Sequence, residues 1–220
     1  MQKTEAARAA MDDLRETMMQ VVSYWSMTDE MLTVAEKAER DDLDKNFASF
    51  CQDPIGINLL DQNSDLLKDI PAETLNRIIK DGEHQGKSAV YGLMRSEIGL
   101  RILEKNPDLV DKISPASLNN VLSTEKDSGL SPVYWLCFHR EGRAILNTTK
   151  IANKISRKAF NSPIENGPLK DSSAFTTLFY SEEGRQTLDQ SGLTKHIDFD
   201  AFTRAAPVQY EPMVIKYSPA

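Results

Sequence analysis

The side chains with catalytic potential in this chain are few and poorly grouped. There are two cysteines, Cys51 and Cys137, and three histidines, His84, His139 and His196. A cysteine nucleophile needs a base within hydrogen-bond reach. Cys137 and His139 are the nearest such pair, but two residues apart on a predicted helix they point to different faces. His84 sits in a predicted linker and His196 near a predicted helix end. These residues match no metal-ligand spacing, so no metal site is predicted. No Gly-x-x-x-x-Gly-Lys-Ser/Thr run is present to cradle a phosphate, and no cofactor is predicted. The adjacent carboxylates Asp41-Asp42 and Glu182-Glu183 read as solvated, since a general acid needs a pKa raised by burial. No residue is assigned a catalytic role.

A repeated pattern places these residues and explains several of them. Ser131-Pro-Val-Tyr-Trp-Leu-Cys-Phe-His-Arg-Glu-Gly-Arg-Ala-Ile-Leu146 has a copy 43 residues earlier, beginning at Ser88. Another copy, covering Phe47 to Leu60, lies 43 residues before that, and a further one begins 42 residues later at Ser173. A period of this length means a stacked array, because one unit alone cannot bury its apolar face. In this register Cys51, Met94, Cys137 and Phe179 are equivalent. A position that accepts Cys, Met and Phe is a core position, where a free cysteine acts as a small hydrophobe. Gly56, Gly99, Gly142 and Gly184 are equivalent as well, and read as helix junctions needing either positive φ or close packing.

Each unit offers about three short helices. The first starts at Ser-Pro or Ser-Ala, a capping residue and a first-turn residue. The second starts near the shared glycine, and the third ends at Leu-Asn or Phe-Asn. Pro71 followed by Glu73 is a further helix start. Lys80–Lys87 reads as an exposed linker, Ser123–Gly129 is the next linker, and Ser162–Ser172 is the longest. No segment alternates with period two, which argues against strands. The fold class expected is all-α: a right-handed helical solenoid of about four 42–43-residue repeats with an N-terminal helical cap.

The expected organisation is an N-terminal helical segment at 1–46, repeats across 47–204 and an extended tail at 205–220. The units fall at about 45–87, 88–130, 131–172 and 173–204. The N-terminal segment, with apolar Met11, Leu14, Met18 and Val22 at helical spacing, covers the open end of the array or forms a hairpin that binds a partner or dimerises. The Pro- and Tyr-rich tail packs on the last unit or is disordered in isolation.

The net charge of −7 argues against a general nucleic-acid binder and against docking on an anionic membrane. No apolar run is long enough to span a bilayer. Two cysteines give no disulfide framework, so a reducing compartment is the default. The first residues lack the apolar core of a signal peptide. A cytoplasmic monomer is expected, and a protein exported without a cleaved signal would look the same.

Gly129-Leu-Ser-Pro-Val-Tyr-Trp-Leu resembles the ankyrin opening Gly-x-Thr-Pro-Leu-His-x-Ala, and Gly142 with Ile145-Leu146 resembles that motif's second helix. The period departs from ankyrin's ~33 residues towards armadillo or HEAT repeats. The chain thus resembles a divergent ankyrin-like or HEAT-like solenoid over about residues 45–204. Repeats of this kind are similar to modules of type IV secreted effectors of intracellular bacteria. That resemblance implies a protein partner, from a host cell or a second effector, and delivery into a host cell.

Two functions follow as expectations. One is a non-catalytic protein-binding module. The other is an enzyme or nucleotide-binding protein with a site between repeats. For binding, the candidates are Trp135, His139, Arg140 and Arg143. Trp135 corresponds to Gly92, Ser49 and Thr177, a series that no core requires to be aromatic. His139 lies four residues on, hence on the same helix face, while Gly142 is expected to break the helix before Arg143. Trp and Arg are enriched in binding hot spots. The competing expectation is that Trp135 packs under the linker of its own repeat.

Overall fold

The computed structural model describes residues 44–124 and 127–198. The expected N-terminal segment, apart from its last three residues, and the expected tail lie outside the described residues. Every regular element among the described residues is helical, as an all-α chain requires. The chain falls into two compact units, Met1–Ser117 and Leu118–Ala220.

In the first unit, residues 44–50 form α1. There follow α2 (Pro54–Gln62), a 3₁₀ turn (Ser64–Asp69), α3 (Ala72–Asn76), α4 (Ala89–Arg95), α5 (Glu97–Lys105), α6 (Pro107–Lys112) and α7 (Pro115–Leu118), whose last residue begins the second unit. The second unit continues with α8 (Pro132–Phe138), α9 (Arg140–Thr148), a 3₁₀ turn (Ile151–Lys154) and α10 (Arg157–Asn161). It then holds α11 (Ala174–Phe179), α12 (Glu182–Ser191) and a 3₁₀ turn (Leu193–His196). Between the second and third helices of the first three expected units, and after the second helix of the fourth, there is thus an additional short segment. It spans only four to six residues, too few to leave a periodic signal.

The serines start helices as their spacing suggested. Ser88, Ser131 and Ser173 each accept a hydrogen bond from the backbone N–H three residues on, at 3.3, 3.2 and 3.2 Å. The second helices are capped in the same way by Asp53, Ser96 and Ser181, which accept from the N–H of Gly56, Gly99 and Gly184. Such caps satisfy donors that the helix itself cannot.

Equivalent helices pack on one another within each unit. In the first unit α2 meets α5, and in the second α8 meets α11 and α9 meets α12. The junction glycines make the tight turns between first and second helices feasible. Each is the third residue of its helix, and none has positive φ. A Cβ at Gly56, Gly99, Gly142 or Gly184 would run into the backbone carbonyl of Phe50, Leu93, Leu136 or Leu178. Close packing, not left-handed backbone, is what the glycine supplies.

Cys51, Met94 and Cys137 are fully buried, in keeping with their shared register position, while Phe179 is half-buried. Burial pushes both thiols far above their ordinary pKa, so neither supplies a thiolate nucleophile. Replacing Cys51 or Cys137 by serine is expected to cost about 1–2 kcal/mol, since it buries a hydroxyl in an apolar site. In the native protein both thiols should react with a disulfide reagent only as fast as the chain opens. Denaturant melts and thiol-labelling kinetics check this, and labelling of Cys137 at a free-thiol rate would contradict it.

In the first three copies the asparagine at the end of the third helix forms a clasp at a distance. The Asn76 side chain donates to Lys112 O at 2.8 Å and accepts from Ser114 N–H at 2.6 Å. Asn119 donates to Lys154 O at 2.7 Å and accepts from Ser156 N–H at 2.6 Å. Asn161 donates to His196 O at 2.8 Å and accepts from Asp198 N–H at 3.1 Å. Each clasp joins one copy of the pattern to the corresponding bend of the next. Pro71 stands in the equivalent place of the first copy and has no N–H to offer.

The linkers share one closure. Ile79 exchanges backbone hydrogen bonds with Lys87 and Gly86, Leu122 with Leu130 and Gly129, and Ile164 with Ser172 and Asp171, all at 2.8–2.9 Å. The closing residues Gly86, Gly129 and Asp171 have φ of 82°, 88° and 66°, the left-handed region that glycine and, less easily, aspartate tolerate. The linkers after Ile79 and Ile164 are exposed in their middles, and all three are pinned at both ends.

Candidate binding surface

Trp135 and His139 lie one turn apart at the end of α8. The His139 N–H donates to Trp135 O at 3.1 Å, which places His139 as the last residue held by that helix. The backbone then turns extended at His139, and α9 starts at Arg140. The break thus falls three residues before Gly142, where it was expected. The reason is that Gly142 is needed inside α9, against Leu136.

The turn gathers four rings. Trp135 and His139 stack with centroids 5.9 Å apart and planes 26° apart. Phe138 meets both edge-on, at 5.8 and 5.2 Å. Tyr134, buried beneath, stacks on Phe138 at 5.7 Å. Phe138 keeps 42% of its surface exposed, and with Ile55 it is one of two large apolar side chains so placed among the described residues. The Trp135 indole N–H is buried without a hydrogen-bond acceptor among the described residues.

The two arginines separate. Arg140 is exposed at the first position of α9. Arg143 turns inward and is only 17% exposed. Its guanidinium donates to the carbonyls of Phe138 at 2.9 Å and Cys137 at 3.4 Å, and pairs with Glu183 at 3.1 Å. It therefore ties the last carbonyls of α8, as cations at helix C-termini do. Arg185 repeats the arrangement one period on, donating to Phe179 O at 3.0 Å. Arg143 serves the turn that carries the aromatic cluster, Trp135 and His139 are half-buried within that cluster, and Arg140 is exposed at the next position of the chain. Phe138, the most exposed ring, was missed because its register mates Gln52, Arg95 and Tyr180 share no type.

No group of three or more His, Cys, Asp or Glu among the described residues is placed to hold a metal ion. No helix among the described residues is long and apolar enough to cross a membrane. Comparison with protein-family models, with curated proteins and with solved structures gives no match.

Proposed function

We propose that this chain is a non-catalytic helical-repeat protein, a right-handed solenoid of about four units, that binds another protein through the turn between α8 and α9. The observation that carries the reading is Phe138, 42% exposed on a base of Trp135, Tyr134 and His139 with Arg140 beside it. An exposed ring held rigid by other rings loses little side-chain entropy on binding and offers large contact area. The recurring clasps and the packing of equivalent helices support a stacked array, whose surfaces suit protein partners. A host-cell protein or a second effector is the partner class that the resemblance to secreted effectors implies.

Trp135→Ala and Phe138→Ala should each weaken binding at least tenfold, about 1.4 kcal/mol, with helical content by circular dichroism unchanged. Phe138 is the most exposed ring of the cluster, at 42%, so its removal disturbs the packing less than that of Trp135 and reports on binding even if the Trp135 change loosens the turn. Undiminished binding by both folded variants would move the contact elsewhere.

A further inference from the structure

The clasp that holds the fourth copy closes on His196. Asn161 donates to His196 O at 2.8 Å and accepts from Asp198 N–H at 3.1 Å. Lys112, Lys154 and His196 follow one another at intervals of 42 residues, so the histidine fills a place that lysine holds in two earlier copies. Lysine there has a visible use. Lys112 Nζ donates to Lys68 O at 2.8 Å and to Ile70 O at 2.9 Å. The His196 ring finds no such carbonyl. Its Nε2 is buried and has no hydrogen-bond partner among the described residues.

A neutral imidazole tolerates that place, because it carries one proton and can keep it on Nδ1. An imidazolium carries a proton on both nitrogens. Nε2–H would then be a buried donor without an acceptor, which is costly. The charges nearby add to that cost. Lys195 on the same turn and Arg157 on α10 are the cations beside the ring. Arg157 pairs with Asp198 at 3.8 Å and donates to Ile197 O at 3.5 Å, so its charge is held at the bend. Lys158, the other charge on α10, is exposed. So are Glu182, Glu183, Arg185 and Asp189 on α12, the other helix packed against the turn.

We infer that His196 makes the fastening of the fourth copy sensitive to protons: when the ring takes up a proton, the bend from Leu193 to Asp198 lets go of Asn161. Burial, then Lys195 and Arg157, hold the imidazole below its ordinary pKa. The closed bend therefore binds fewer protons than the open one. Its stability is complete above the ordinary histidine pKa of about 6.5, falls as pH drops through that value, and levels off below the pKa of the closed state. The α8–α9 turn plays no part in this, so the inference and the proposed function fail separately.

The test is a pH titration of the full chain from pH 7.5 to pH 5, above the range in which ordinary carboxylates titrate. The His196 ring signals and the hydrogen exchange of the Asp198 amide are followed by NMR, in the parent and in His196→Gln, which stays neutral throughout. In the parent the ring should titrate below about pH 6.5. Protection of the Asp198 amide should fall at least about five-fold over the titration, as an unmatched buried donor implies. In His196→Gln it should stay flat. A parent ring that titrates at or above the ordinary value overturns the inference. So does Asp198 protection that holds to pH 5, or that falls equally in His196→Gln. If glutamine itself loosens the bend at pH 7.5, the side-chain amide signals of Asn161 in the parent decide. They should move over the same pH interval as the Asp198 protection, and signals that stay fixed overturn the inference.

Discussion

Gly142→Ala is expected to lower the thermal midpoint by roughly 6–12 °C, corresponding to about 3 kcal/mol. Helix propensity alone gives the opposite sign, since alanine in place of glycine inside a helix gains about 1 kcal/mol. The contact decides against propensity. The added methyl would run into the Leu136 carbonyl oxygen and lie 2.8 Å from that residue's Cα and carbonyl carbon. These are backbone atoms of α8, so no rotamer change relieves the clash. The helices α8 and α9, packed on each other around Ile145, Leu146 and Leu136, must separate instead. Gly99→Ala should behave alike, against Leu93. Thermal and urea melts read the result, and a midpoint unchanged or raised in both variants would refute the close-packing role.

Asn119→Leu is expected to cost about 2–3 kcal/mol, although it keeps the side chain's size. The change removes a donor to Lys154 O at 2.7 Å and an acceptor for Ser156 N–H at 2.6 Å, two backbone groups left without that partner. The loss should be local first. Hydrogen exchange of the Ser156 amide should accelerate in the variant while amides inside α8 keep most of their protection. A purely propensity-based effect would leave Ser156 protected. A variant that melts like the parent with Ser156 still protected would show that the clasp carries no stability.

The sequence made the repeating local signals legible. Ser88, Ser131 and Ser173 precede helices because a cap acts within three residues, and such a signal survives without tertiary context. The core position of Cys51 and Cys137 was legible because the register compares four side chains at one place. What escaped depends on residues far apart in sequence. Asn76, Asn119 and Asn161 were visible as helix ends, but their partners lie 35–38 residues on. The helix break was placed at Gly142 because glycine is read as a breaker. His139 ends α8 instead, where Arg143 collects the final carbonyls. That bonding also removes Arg143 from the outward-facing candidates, which a list of residue types could not reveal.

In the proposed function, the α8–α9 turn is a protein-contact surface. Affinity capture from host-cell lysate with the intact chain, in parallel with the Trp135→Ala/Phe138→Ala double variant, tests it most directly. Proteins retained by the parent and lost by the variant are then purified, and their affinities measured for both chains. At least one purified protein should bind the parent and bind the folded variant ten-fold or more weakly. If every captured protein binds both chains equally, the turn is not the contact surface.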